Sequence, residues 1–203
     1  MQHKIEKIEQ PLRDRIINCA LKEFAIHGFD RASYNYILKE AGINKGRFYQ
    51  YVKSKKELFD YLIEYIVEKV LFEIDQAANL EEKDVIERFR GFAFIALDFY
   101  ARYPYCHMFI SMIKRGLTTV ATKDLRIKHA GLKGKLKYEN IDKGLFKDKN
   151  NIEEKINILA WTLDNLIKHL LLEAEYDVDK IDKQKAIADI DKYFNLFKQI
   201  YYK

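Results

Sequence analysis

Pro11 and Pro104 are the only prolines in the 203 residues. Proline lacks a backbone donor and clashes with the preceding helical turn, so it opens or ends helices and does not sit inside them. With so few breakers, most of this chain can run as helix without interruption. Eight glycines are too few for the turns that a fold of many short strands needs. An apolar content of 48% is ordinary for a globular core. The expectation is an all-α protein.

Helical periodicity locates the elements. Leu12, Ile16, Ile17, Ala20, Leu21, Phe24 and Ala25 form a stripe over residues 11–27, with Pro11 in the first turn and Gly28 as the stop. Ser33 suits the N-cap of a second, short helix that buries Tyr34, Ile37, Leu38 and Ala41. Gly42 makes a turn, and Asn44 caps a third helix to Tyr51, held inward by Phe48 and Val52. Ser54 caps a long fourth helix reaching Asn79, whose inward face is Leu58, Leu62, Tyr65, Ile66, the Lys69 stem, Leu71 and Phe72. Helices over 82–103, 104–115, 121–140, 152–175 and 182–202 follow, with a polar loop over 142–151. The total is about nine helices.

Helix, glycine turn, helix is the arrangement that presents a recognition helix to the DNA major groove. Basic charge is concentrated in the same region. Residues 1–60 hold twelve Lys and Arg against eight Asp and Glu, whereas the rest is nearly balanced at 24 against 23. A basic N-terminal region fits phosphate attraction. With Phe48 and Val52 inward, Lys45, Arg47, Tyr49, Gln50 and Tyr51 point away from the core. Lys45 or Arg47 can donate to guanine O6 and N7, and Gln50 can pair with adenine N6 and N7. Tyr49 can touch a thymine methyl or a phosphate. Gly46 lets the backbone approach closely. Ser33 and Tyr34, at a helix start, offer free N–H groups to phosphate, and Lys53 and Lys56 can add to that attraction. A DNA-reading domain is expected over 1–56, and a larger helical domain over 57–203.

The first 60 residues resemble the DNA-binding domain of TetR-family transcriptional regulators. The resemblance is carried by Phe24-Ala25-Ile26-His27-Gly28, Ala32-Ser33, Ala41-Gly42-Ile43, Phe48-Tyr49 and Ser54-Lys55, ending at Leu58. Phe48 stands where the family usually has Leu, Val52 where Phe is common, Lys56 where Glu is common, and Arg47 where Thr or Ser is frequent. The first two keep the site apolar; the last two add positive charge. Asn44, at the start of the recognition helix, is counted with the DNA contacts; the resemblance implies that Asn35 joins them, that Lys55 clamps a phosphate together with Tyr51, and that the protein is a repressor.

One short helix gives little affinity, so a homodimer on two half-sites is expected. The stripe of Ile156, Leu159, Leu163, Leu166, Ile167 and Leu170, with Ile190, Phe194, Phe197 and Tyr201 on the last helix, is too apolar to leave in water and is assigned to the dimer interface. The resemblance implies an intersubunit four-helix bundle there. Packing within one subunit is the other reading. Phe92, Phe99, Tyr103, Met108, Phe109 and Met112 can line an effector pocket, closed by Trp161. Asp98, Asp164, Asn165 and His169 are candidate polar contacts in it. By the resemblance the effector is small and apolar or amphipathic, and it favours a state whose recognition helices no longer match the groove, through a tilt of the fourth helix.

Other classes fit less well. Cys106 and His107 are adjacent, and neighbours on a helix point about 100° apart, so they form no nucleophile–base pair. The five histidines are scattered and no phosphate-binding glycine loop occurs; neither metal, cofactor nor enzymatic activity is expected. Two cysteines in apolar helices, the absence of an apolar leader, and apolar runs too short to span a bilayer fit a cytoplasmic protein. The rival function is a DNA-binding module controlled by a protein partner, docked on the basic segment Lys123–Lys149.

Overall fold

The computed structural model describes residues 4–77, 79–116, 130, 131 and 134–203. The helices are α1 (Gln10–Arg31), α2 (Tyr34–Glu40), α3 (Lys45–Phe48), α4 (Lys55–Ala77), α5 (Val85–Arg102) and α6 (Cys106–Gly116). Helical residues at 130, 131 and 134–138 follow as α7, then α8 (Ile152–Glu173) and α9 (Lys183–Tyr201). The expected helical stretch 121–129 lies outside the described residues. Among those described, extended pairing is confined to one antiparallel bridge between Phe146 and Tyr202. No described helix is long and apolar enough to cross a membrane.

Two compact units are present, one of residues 1–69 and 103–124, the other of 70–102 and 125–203. In the first, α1 packs on α2 and α6. Phe59 stacks edge-on to Phe24 (4.8 Å between ring centroids) and to Phe109 (5.7 Å), so α1, α4 and α6 share one aromatic seam. A 3₁₀ turn at Lys4–Lys7 precedes α1 and buries Ile5, while Arg13 donates to the Glu6 carbonyl at 2.9 Å. The sequence pattern missed this turn. On α4, Leu58, Leu62 and Ile66 are buried as expected, and so are Phe59, Tyr61 and Ile63; Phe72, placed inward by periodicity, is 60% exposed. With buried side chains on several faces, this part of α4 is not described by a single stripe.

Gly28 does not end α1. The helix kinks there, with φ 71° and ψ 172°, and resumes for a turn that closes through the Ala32 N–H to the Gly28 carbonyl at 3.1 Å. That backbone region is open essentially to glycine alone. A Cβ at this position meets nothing within 4 Å, so the cost of Gly28→Ala is conformational. We expect a loss of about 1–3 kcal/mol, measured by urea unfolding.

The second unit is built on α5, α8 and α9. Val85, Ile86, Phe89 and Ala93 of α5 share a core with Ile156, Leu159, Leu163 and Ile167 of α8 and with Ile190 and Phe194 of α9. Leu166, Leu170, Phe197 and Tyr201 are partly buried against the same core. Of the residues assigned from sequence to a dimer interface, Ile156, Leu159, Leu163, Ile167, Ile190 and Phe194 are therefore buried inside one subunit, and Leu166, Leu170, Phe197 and Tyr201 lie at the edge of that core. The apolar side chains left outside are Ile158, Trp161 and Leu172 on α8, and Ile187, Tyr193, Leu196 and Ile200 on α9. Helix α8 is apolar on two faces, and period alone does not say which of them meets α5.

The start of α5 is latched to the end of α9. Asp84 accepts the N–H groups of Ile86 (2.9 Å) and Glu87 (3.1 Å), and also the Tyr202 hydroxyl (2.8 Å). Lys198 bridges Asp84 at 3.0 Å and Glu87 at 2.7 Å, and Arg90 pairs with Asp191 at 2.6 Å. Burial, with Asp84 alongside, pushes the Tyr202 phenol well above its usual range, so it stays a donor.

Candidate nucleic-acid interface

The second and third helices are held by their own caps. Ser33 Oγ accepts the Tyr36 N–H at 3.2 Å and starts α2. At its end, Gly42 has φ 69°; its N–H bonds the Lys39 carbonyl (3.1 Å), and the Ile43 N–H bonds that of Leu38 (3.0 Å). This paired closure depends on a residue that tolerates the left-handed region. Asn44 Oδ1 then accepts from Gly46 (2.8 Å) and Arg47 (3.4 Å) to start α3. A Cβ on residue 46 would stand 3.2 Å from that oxygen, so Gly46 makes room for the cap as well as for any close approach of DNA.

α3 is shorter than the expected span to Tyr51. After Phe48 the Gln50 N–H turns to the Arg47 carbonyl (3.3 Å) and that of Tyr51 to Phe48 (2.9 Å), the tightening common at helix ends. Phe48 and Val52 are buried, as the pattern requires. Lys45, Gly46, Arg47, Tyr49 and Gln50 are exposed, together with Ser33, Asn35 and Asn44. Lys45 Nζ lies 5.7 Å above the Tyr49 ring. Eight of the expected DNA contacts thus share the exposed surface of α2, α3 and the turns around them.

Three expected contacts are more internal. Tyr34 donates its hydroxyl to the Val52 carbonyl at 3.0 Å, and its ring meets those of Phe48 and Tyr49, each at 6.0 Å. Burial, with smaller contributions from Tyr49 and Glu57, holds its phenol far above the ordinary value. Tyr34 therefore ties α2 to α3. Tyr51 is half-buried. Lys55 is half-buried too, and its ammonium donates to the carbonyls of Asp30 (3.0 Å) and Ala32 (3.1 Å). Of the neighbouring cations, Lys53 is exposed and Lys56 pairs with Asp60 at 2.5 Å.

Sequence reasoning missed Glu23. It is 7% exposed, and its carboxylate accepts the Ser33 N–H at 2.8 Å. An internal anion thus already occupies an amide assigned to phosphate. The available signal was a charge on the apolar stripe, three residues after Ala20 and one before Phe24.

The expected effector residues are divided between the two units. Tyr103 and Phe109 are buried in the first unit, with Met108 and Met112 half-buried beside them. The Tyr103 and Tyr65 hydroxyls bond at 2.8 Å. Phe99 is buried in the second unit and Phe92 packs partly against its core. Trp161 is 64% exposed. It lines an open groove with Ile158, Thr162, Asn165, Leu166 and Tyr193, so Trp161 and Asn165 belong to the outer α8–α9 face. Asp98 is exposed in an ion pair with Lys183 (2.9 Å), His169 is exposed with Nε2 3.3 Å from the Glu173 carboxylate, and Asp164 is exposed. Side chains on a solvent face were read as polar spots inside a pocket. Cys106 is fully buried, and burial pushes its thiol far above the usual value, the opposite of an activated nucleophile.

Residues 16–62 match the model of the bacterial regulatory proteins, tetR family. Over 51 residues the chain is 39% identical to the uncharacterised HTH-type transcriptional regulator YdgC of Bacillus subtilis, covering 25% of this chain and 26% of that one. The chain spans about a quarter to two fifths of the length of the curated relatives it matches. Solved structures extend the likeness of fold. A TetR family transcriptional regulator from Chloroflexus aurantiacus superposes with TM-score 0.69 at 20% identity, covering 98% of this chain and 97% of that one. The regulator FadR of Bacillus subtilis, in complex with stearoyl-CoA, gives 0.57 at 15% identity, covering 90% and 96%. The residues that build α1 to α3 and the start of α4 thus carry the signature of the tetR-family regulatory proteins, and the fold along nearly all of the chain is of the kind seen in solved TetR-family regulators.

Proposed function

We propose that this regulator is a cytoplasmic repressor that binds a palindromic operator as a homodimer and is released by a small apolar or amphipathic effector. The observation that carries the DNA-reading part is the exposed set Lys45, Arg47, Tyr49 and Gln50. It stands on a helix whose start is capped by Asn44 and whose inner side is anchored by Phe48, and on the turn that follows it. Lys45 and Arg47 supply cationic donors, Gln50 a paired donor and acceptor. Phosphate attraction falls to these cations and to Lys53.

A helix of four residues reads too few bases alone, which supports two copies on half-sites about 34–36 Å apart or a multiple of that distance. The outer α8–α9 face, with Trp161 at its centre, is the surface we assign to the second copy. It is the apolar face of the second unit that its own core leaves uncovered. The stearoyl-CoA held by FadR supports an amphipathic effector, as do the aromatic and methionine side chains of α6. Release needs only a few kcal/mol of differential affinity for a state that misplaces the two recognition helices.

The test is fluorescence anisotropy on a duplex recovered by the protein from a random-sequence library. Binding is expected to be salt-sensitive. Arg47→Ala and Gln50→Ala are each expected to lower discrimination at one base position by about 5- to 150-fold, the equivalent of about 1–3 kcal/mol. Unchanged preference in both variants would remove α3 as the reading element.

A further inference from the structure

The last turn of α1 after the Gly28 kink and the two residues before α2 are pinned from two sides by charged side chains. From α1, the buried Glu23 accepts the Ser33 N–H at 2.8 Å, with His27 Nε2 3.7 Å from its other oxygen. From the first turn of α4, Lys55 donates to the carbonyls of Asp30 and Ala32. Its ammonium also lies 4.8 Å above the Phe29 ring, which packs on Phe59 at 5.0 Å. A buried carboxylate is costly to desolvate unless charge-assisted bonds offset that cost, and here the bond goes to one backbone amide of the connection. An ammonium has three donors, and two of those of Lys55 are already engaged inside the protein.

The next residue along is Tyr34, which bonds the Val52 carbonyl and touches Tyr49. The placement of Ser33 is thereby passed to the reading face of α3. The chain of contacts runs from Glu23 and Lys55, through residues 30–34, to Tyr49.

We propose that Glu23 and Lys55 form a clasp that positions α2 and α3 for base reading, and that Lys55 acts from inside the domain and not as a phosphate clamp. The inference rests on the DNA-binding reading and sharpens it. The two roles differ in what they do to binding. A phosphate contact strengthens all sequences alike and adds to the salt dependence, whereas a positioning residue acts on base discrimination and leaves the salt dependence alone.

The experiment compares wild type, Lys55→Met, Glu23→Leu and Lys53→Ala. Binding is measured on the library-recovered duplex and on a scrambled duplex of equal length, between about 50 and 200 mM salt. Lys55→Met and Glu23→Leu should weaken binding to the recovered duplex by about tenfold or more and to the scrambled one by less than about twofold, with the wild-type salt slope. Lys53→Ala should reduce that slope by about 0.9. A similar slope reduction in Lys55→Met, or preference unchanged in both clasp variants, would overturn the clasp. Acetylation footprinting of wild type reads the same point if a variant fails to fold. Lys55 should react poorly with acetic anhydride with or without DNA, while Lys45 and Lys53 react in the free protein and are shielded by the duplex. A Lys55 that reacts freely and is shielded only by DNA also overturns it. Wild type that binds no duplex defeats the DNA-binding reading itself, and the footprint of the free protein still decides the clasp.

Discussion

Arg88→Leu is expected to lower the unfolding free energy by about 3–5 kcal/mol, among the largest single losses available in the second unit. Arg88 is 2% exposed, yet its hydrogen bonds go to carbonyls and not to a carboxylate. Nε donates to Glu82 at 3.0 Å, Nη1 to Leu136 at 3.2 Å and Glu139 at 2.8 Å, and Nη2 to Leu80 at 3.4 Å and again to Glu82. The planar fork of the guanidinium suits this arrangement, because its donors reach acceptors lying in different directions. The connection between α4 and α5 is thereby fastened to the end of α7. Burial pulls the Arg88 pKa down, and the charges of Glu82 and Glu139 oppose that. Leucine would strand several partly buried carbonyls, each worth about 1–3 kcal/mol when it finds no new partner. Asn140, which donates to Leu80 at 3.0 Å, and entering water recover part of this. Arg88→Lys keeps the charge but loses the fork, and about 2 kcal/mol should go with it. Urea unfolding followed by circular dichroism checks both. A loss below about 1 kcal/mol in the leucine variant would mean that solvent replaces the guanidinium freely.

What could be read in advance divides by distance along the chain. Ser33, Asn44 and Gly42 act on neighbours within a few residues, and each does in the structure what its chemistry suggests: a hydroxyl, an amide oxygen and a left-handed glycine satisfying helix ends. Most helix limits followed for the same reason; α1 runs past its expected stop at Gly28, and α3 is shortened by its last turn. Glu23 and Arg88 act across much longer separations. Glu23 reaches an amide ten residues on, and Arg88 reaches carbonyls 48 and 51 residues on. No local pattern reports such pairings. The clearest mistake concerned α8. Ile156, Leu159, Leu163 and Ile167 make one apolar stripe and Ile158, Trp161 and Leu172 contribute to another, and both obey the helical period. Choosing the core stripe required knowing where α5 and α9 lie. The same ambiguity carried Trp161 and Asn165 into a pocket, when they stand on the outer face with Tyr193.

That reversal makes a decisive pair of substitutions. Trp161→Asp is expected to leave the subunit folded and to abolish dimerisation, whereas Leu163→Asp should unfold it. Trp161 is 64% exposed in the single subunit and Leu163 is 3% exposed, so a carboxylate costs little at the first position and has no partner at the second. In a dimer sealed through the outer face, Trp161 would lose its solvent. Removing a central interface tryptophan typically costs about 2–4 kcal/mol, and an unpaired buried charge adds several more. Together these predict a rise of at least about a thousandfold in the dimer dissociation constant. Sedimentation should then show monomer at micromolar concentration with wild-type circular dichroism. Operator binding should fall by about a hundredfold or more, because each monomer holds a single half-site. The sequence-based interface predicts the reverse: Leu163→Asp would give a folded monomer and Trp161→Asp an intact dimer. The two faces are thus separated by which variant keeps its fold and which keeps its partner. A Trp161→Asp protein that still sediments as a dimer would show that the outer α8–α9 face is not where two copies meet.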